Sequence, residues 1–347
     1  MLSFRPSSRF WLNYQAITDG DKSALLHLAA SNCHSGTMEL LFGNDVPIDQ
    51  DDNSLLHCAA DCGYTETVKL ILDKGAPIEA LDHCKHTALH SAAFMGHYDM
   101  VDLLLRKGAT IGATNNQNKT PLDLAAWGGR AGTVGLLLER GASSGAKHGD
   151  DTPLHLAVHN GFTEVVELLI KKGASLESTG EYGCTPLHSA AMSGRTEVVE
   201  LLLERGASIE ARRESGHTSL HLAAYRGHAR VVKILLEKGA SIESISNCGD
   251  TPLHTAAARG HTGAVKLLLK KGAPTEAKRE DSCTPLHLAT NNGHTGAVEL
   301  LLKEGASIDA KGESDNTPLH FATHHGHTGV VELLLEKGAS LEFICRP

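Results

Sequence analysis

Apolar and polar residues alternate along the chain in a pattern that builds two short helices and then starts again. Residues 152–173, TPLHLAVHNGFTEVVELLIKKG, carry one full round of it. Thr152 is placed to cap a helix, and Pro153 suits its first turn, where a missing N–H loses no partner. Leu154, Leu156 and Ala157 give that helix a small apolar face, and Gly161 ends it. A second helix follows, with Val165, Val166, Leu168 and Leu169 on one side and Glu167, Lys171 and Lys172 on the other. Gly173 is the residue expected in the left-handed conformation past its end. A finger of polar, turn-forming residues then leads into the next round.

The period follows from one recurring position. Histidines stand at 27, 57, 90, 155, 188, 221, 254, 287 and 320, with Asp123 in the fourth place; the steps are 30, 33, 33 and 32, then 33 throughout. This repeat spans about nine-tenths of the chain. One round is too small to bury its own apolar face, so successive rounds must stack. The seventh, GHTSLHLAAYRGHARVVKILLEKGASIE over residues 216–243, resembles the ankyrin-repeat family, whose units share the period and the TPLH helix start. The expected fold is therefore all-α: a solenoid of about ten helix-turn-helix units over 21–347 with projecting β-hairpin-like fingers. Residues 1–20 form a lead-in in which Trp11 is placed to cap the first unit. The resemblance also implies that the motif Thr and His share a hydrogen bond and tie adjacent units. That gives His90, His155, His188, His221, His254, His287 and His320 a structural role.

The resemblance implies that partners bind on the concave face formed by fingers and first helices. Counted from the motif histidine, that face presents Phe94 and Met95 in the third copy, Trp127 in the fourth, and Tyr182 and Met192 in the sixth. The seventh adds Tyr225 and Arg226. Aromatic residues make up only 4% of the chain, so their appearance here matters. Interface anchors are enriched in Trp, Tyr and Arg. These seven residues are the candidate partner-binding set.

Charge and chemistry narrow the function. A formal charge of −9 argues against phosphate-backbone binding, so no nucleic-acid partner is expected. No apolar run approaches the ~20 residues that span a bilayer. The start carries Arg5 and Arg9 and no acid before Asp19, a faint transit-peptide composition, but a capping lead-in fits better. Eight cysteines show no paired framework, which points to a reduced chain inside the cell, in cytoplasm or nucleus. His320 and His324 lie one helical turn apart, and His83, Cys84 and His86 share a fingertip with Cys62 one unit back. Most of these are repeat positions, and neither helix has the Glu of HExxH, so no metal site is expected. No G-x-S-x-G, P-loop or G-x-G-x-x-G in a strand–helix setting occurs. Neither catalysis nor a cofactor is expected.

Acids recur at Glu79, Glu177, Glu210, Glu243, Glu276, Asp309 and Glu342 and read as a solvated edge. The last copy is as apolar as the interior ones and adds Phe343 and Ile344, which fits either a longer protein or a contact at that end. In the fourth copy, Asp123 replaces the histidine, Gly132 and Gly135 fall in the second helix, Ser144 replaces Ile or Leu, and the next finger is one residue short. A hinge near 128–151 is the expectation there. The favoured role is a non-catalytic interaction scaffold or adaptor. The alternatives are a regulatory or targeting subunit of a phosphatase or ubiquitin-ligase complex, or a link between membrane proteins and cytoskeleton. Oligomeric state is not legible.

Overall fold

The computed structural model describes residues 28–30, 32, 34–43, 54–145 and 151–341. Copies two to ten each fold as a short first helix, a tight turn and a nine-residue second helix; copy seven has Ser219–Arg226 and Ala229–Glu237. Among the described residues no strand occurs. The predicted fingers are closed turns instead, as in Arg213–His217, where Arg213 N–H donates to His217 O at 3.1 Å. The lead-in with Trp11, the first motif histidine at 27, and Glu342, Phe343 and Ile344 lie outside the described residues.

Within a copy the two helices pack on each other, and within each of two compact units first helices pack on first helices and second on second. Alanines make the close approach possible: Ala190, Ala191, Ala223, Ala224, Ala256 and Ala257 are fully buried. The second helices supply the larger side chains, such as Val199, Leu202, Val232 and Leu235, all at 0% exposure. The chain divides into two compact units, with the boundary between Ala142 and Ser143.

Three recurring hydrogen bonds join one copy to the next. In the first, the motif histidine does two jobs at once. The backbone N–H of Thr218 donates to His221 Nδ1 at 3.2 Å, so the hydrogen of the neutral ring sits on Nε2. From there it donates to Asp250 O, at the base of the next finger, at 2.8 Å. His57, His90, His155, His188, His254 and His287 make the same bond to the carbonyl 29 residues on, at 2.8–3.2 Å.

The second bond runs backward. The residue after the first-helix glycine donates to a carbonyl 36 residues earlier: His228 to Met192 O, His261 to Tyr225 O and His294 to Ala258 O, at 3.0–3.1 Å. Arg130 and Arg195 substitute a guanidinium N–H for the ring. The glycine itself is required twice over. Gly227 has φ +75°, and a Cβ there would stand 2.6 Å from His261 Nδ1.

The third bond revises the reading of the acidic row. Each acid accepts a backbone N–H 31 residues on: Glu79 from Thr110, Glu177 from Ser208, Glu210 from Ser241, Glu276 from Ser307 and Asp309 from Ser340, at 2.7–3.0 Å. The row is a line of acceptors. Pro274 stands where Glu243 would find its donor and has no N–H to give.

Copy four shows what survives the loss of the histidine. Thr120 N–H and Oγ1–H both donate to Asp123 Oδ2 at 2.8 Å, so the helix cap is intact and that part of the expected weakening does not occur. An ionised carboxylate has no hydrogen to pass on. At the turn from copy four to copy five, Gly145 occupies the acid position and Phe162 the backward-donor position. We propose that this is where a hinge near 128–151 arises, a span of which residues 146–150 lie outside the described residues. Helix amides in Ala131–Glu139, with Gly132 and Gly135 in their midst, should then exchange hydrogen faster than those in Thr196–Glu204. Equal protection contradicts the hinge.

Burial pushes the rings of His90, His188, His221 and His254 down to about 4 and lowers His287, outweighing the carbonyl bonds that act the other way. An unfolded histidine takes up its proton near pH 6.5. Between those values the unfolded chain binds more protons, so the stability these rings confer is whole above about pH 6.5 and is lost toward pH 4. Asp61 and Asp250, raised by burial, act in the opposite sense, upward from the ordinary carboxylate value. The melting temperature followed by circular dichroism should be flat from pH 8 to 7 and fall steadily from 6.5 to 4.5. A flat profile across that window contradicts the assignment of neutral, doubly bonded rings.

Candidate partner-binding surface

In the unit up to Ala142, the third and fourth copies place Phe94, Met95 and Trp127 at the ends of Ala88–Met95 and Pro121–Trp127. Met95 is exposed, while Phe94 and Trp127 are half-buried. Phe94 also lends its carbonyl to Arg130 Nε at 3.0 Å, so part of its role is structural. Beside them, finger tips 82–86 and 115–119 share a backbone hydrogen bond, Asn116 N–H to Cys84 O at 3.0 Å.

The first of these fingers holds the cluster that sequence reading weighed as a metal site. Donor atoms of Asp82, Cys84 and His86 lie within 4.8 Å of one another. The hydrogen bonds explain the grouping without an ion. Asp82 Oδ1 accepts from Cys84 N–H and His86 N–H at 2.7 and 2.8 Å, closing the turn. Asn115 does the same one copy on, accepting from Gln117 and Lys119 N–H at 2.9 Å, which fixes its amide. Its Nδ2 must therefore donate to His86 Nε2 (2.9 Å), leaving the ring hydrogen on Nδ1 for Asp82 Oδ2 at 3.1 Å. Burial works against the Asp82 carboxylate, yet the bonds from His86 and Cys84 prevail and hold it at about 2. Both ring nitrogens are committed, and a metal on Nδ1 would turn Nε2 into a donor facing the Asn115 donor. His83 is not in this group. The second sequence pair separates too: His320 Nδ1 accepts from Thr317 N–H at 3.1 Å, while exposed His324 meets His325 edge-on at 4.8 Å. The six described cysteines are free thiols; burial pushes Cys58 up to about 12.

In the unit from Ser143 on, Tyr182, Met192, Tyr225 and Arg226 occupy the corresponding positions. Tyr182 is 63% exposed at a finger tip and holds φ +55°, the left-handed region, where a bulky side chain is strained. Gly216 and Gly249 of the next fingers correspond to Gly183, which is left-handed as well, so Tyr182 is an additional left-handed residue in its finger, as Ser314 is in copy ten. Tyr225 is half-buried, with the guanidinium carbon of Arg259 at 4.2 Å and that of Arg226 at 5.8 Å from its ring centre. Met192 and Tyr225 each supply a carbonyl to a backward bond. Sequence reasoning missed Arg259 as a companion of Tyr225, although the one-copy offset between 226 and 259 was a readable signal. The finger bases carry a charged run, in which Arg279 Nε lies 3.4 Å from Asp250 and 3.6 Å from Asp281. Burial lowers His217 and Arg213 adds to the effect.

A family model described as ankyrin repeats in three copies matches residues 143–213, 206–279 and 273–343. Another, ankyrin repeats in many copies, matches 56–105. Among solved structures the chain is similar to the human ASB11 ankyrin repeat domain, at 30% identity and a TM-score of 0.59, covering 63% of this chain and 98% of that one. No curated protein matches.

Replacing Tyr182 by Gly removes the left-handed strain and should raise stability by up to about 1 kcal/mol in urea unfolding. The same change should weaken partner binding. A loss of stability would show that the side chain is held for packing.

Proposed function

The chain belongs to the ankyrin-repeat family, whose arrays are generally protein–protein interaction modules, and we propose that it acts as a non-catalytic scaffold or adaptor. Partners bind the finger tips and first helices of each unit. The observation that carries this reading is Tyr182: an exposed aromatic at a finger tip whose backbone is held in the left-handed region, a conformation that bulky side chains rarely adopt. Such strain persists where surrounding structure over-determines it, and it clusters at functional sites. The strongly shifted motif histidines support the same reading from the other side. Each is buried and holds a packing hydrogen bond, so these shifts mark joints between copies. Among the described residues, no helix is long and apolar enough to cross a membrane.

In unit one the contact residues are Met95, Phe94 and Trp127; in unit two they are Tyr182, Met192, Tyr225 and Arg226. Aromatic truncation at interface anchors removes more than about 1 kcal/mol each. Affinity purification with the intact chain identifies the partner. Binding by the variants Trp127→Ala and Tyr225→Ala, each with an unchanged circular dichroism spectrum, should then fall at least tenfold. Unchanged affinity in both contradicts the assignment of this surface.

A further inference from the structure

Charge is segregated in the unit from Ser143 on. The links between first and second helices in copies five to ten span 159–162, 192–195, 225–228, 258–261, 291–294 and 324–327. None of these residues is Asp or Glu, in a chain of formal charge −9. The acids lie on the second helices, such as Glu197, Glu200 and Glu299, and at finger tips, such as Glu181, Glu214 and Glu280. The rim formed by the helix links is cationic against that background.

Two exposed arginines concentrate this charge. Arg226 and Arg259, one copy apart, both reach the ring of Tyr225, at 5.8 and 4.2 Å. Among the described residues neither has a carboxylate within ion-pair distance. Arg205 and Arg279, by contrast, are paired with carboxylates, the first with Glu167 and the second with Asp250 and Asp281. Stacking on an aromatic face holds a guanidinium in place while its in-plane N–H groups remain able to take a planar carboxylate in bidentate fashion. His228 and His261 beside them already spend Nε2 on Met192 and Tyr225 carbonyls, so the arginines carry the recognition.

We propose that this rim docks an extended acidic segment of a protein partner, with a carboxylate seated at Arg226, Tyr225 and Arg259. The proposal rests on the interaction-module reading and names the chemistry of the partner. Packed helices stand about 8–10 Å apart, and an extended chain crosses that distance in about three residues. The matching segment therefore carries Glu or Asp at every third position. The acidic fingers and the net charge of −9 disfavour a nucleic-acid backbone, whose binding needs many neutralising cations.

The test uses fluorescein-labelled dodecapeptides, (Glu-Gly-Ser)4 and (Lys-Gly-Ser)4, titrated against the intact chain by fluorescence anisotropy at about 50 mM salt, where screening is weak. The glutamate peptide should bind and the lysine peptide should not. The double variant Arg226→Glu/Arg259→Glu should weaken binding at least tenfold, and Arg205→Glu, just past the end of the second helix Thr196–Glu204, should leave it unchanged. Arg226→Gln/Arg259→Gln replaces the double variant if circular dichroism shows that charge reversal disturbs the fold. Equal binding by wild type and variant overturns the proposal, as does full competition by a twelve-residue thymidine oligonucleotide through the same arginines. If the peptide result fails while Trp127→Ala still loses the captured partner, the rim reading falls and the interaction-module reading stands.

Discussion

A neutral imidazole that accepts on one nitrogen and donates from the other is the interaction on which this fold rests. Its Nδ1 takes the N–H of the threonine that opens its own first helix, and its Nε2–H goes to the base of the next finger, as at His221. One ring thus caps a helix and joins two copies. Each such bond contributes about 1 kcal/mol net, but leaving its buried partner groups unmet costs more, and the bond recurs along the stack. The geometry also dictates the protonation state. A second proton would place N–H against N–H at the threonine, which is why burial and bonding together keep these rings neutral far below their ordinary range.

The backward bonds and the acidic acceptors extend the same logic to the other edges of each copy. Together they occupy the carbonyls at the first-helix ends and the amides that follow the second helices. Finger tips and helix links keep side chains that these bonds do not use. Tyr182 and the Tyr225–Arg226–Arg259 stack lie in that remainder. A repeat that spends its invariant groups on coupling can vary the rest from copy to copy, and variation is where recognition resides.

Much of the fold was legible in the sequence because the 33-residue period and the Thr-Pro-Leu-His start are local signals that need no tertiary information. Helix ends followed from Pro153, Gly161 and Gly173 in the same way. The coupling was only half legible. A histidine after a first-helix glycine shows its donor role only when its carbonyl partner, 36 residues back, is known. Glu210 looked like a solvated charge because its partner is a backbone N–H, which every residue type but proline shares. The DHCKH finger looked like a ligand set because sequence does not reveal that Asn115 has fixed its amide and with it the tautomer of His86. At the candidate surface, residue type singled out Tyr182 and Tyr225, but the strained backbone of the one and the paired guanidinia of the other needed coordinates.

The central claim is that the forward Nε2–H bond carries cooperativity between copies, separately from the cap on Nδ1. His221→Asn tests it, because an amide oxygen keeps the acceptor for Thr218 while the side chain is too short to reach Asp250 O. Urea unfolding of the full chain, read by circular dichroism, should show a lower midpoint for this variant and a transition that broadens or splits, as expected when one interface of a repeat array weakens. A single transition with the wild-type midpoint and slope would contradict the account.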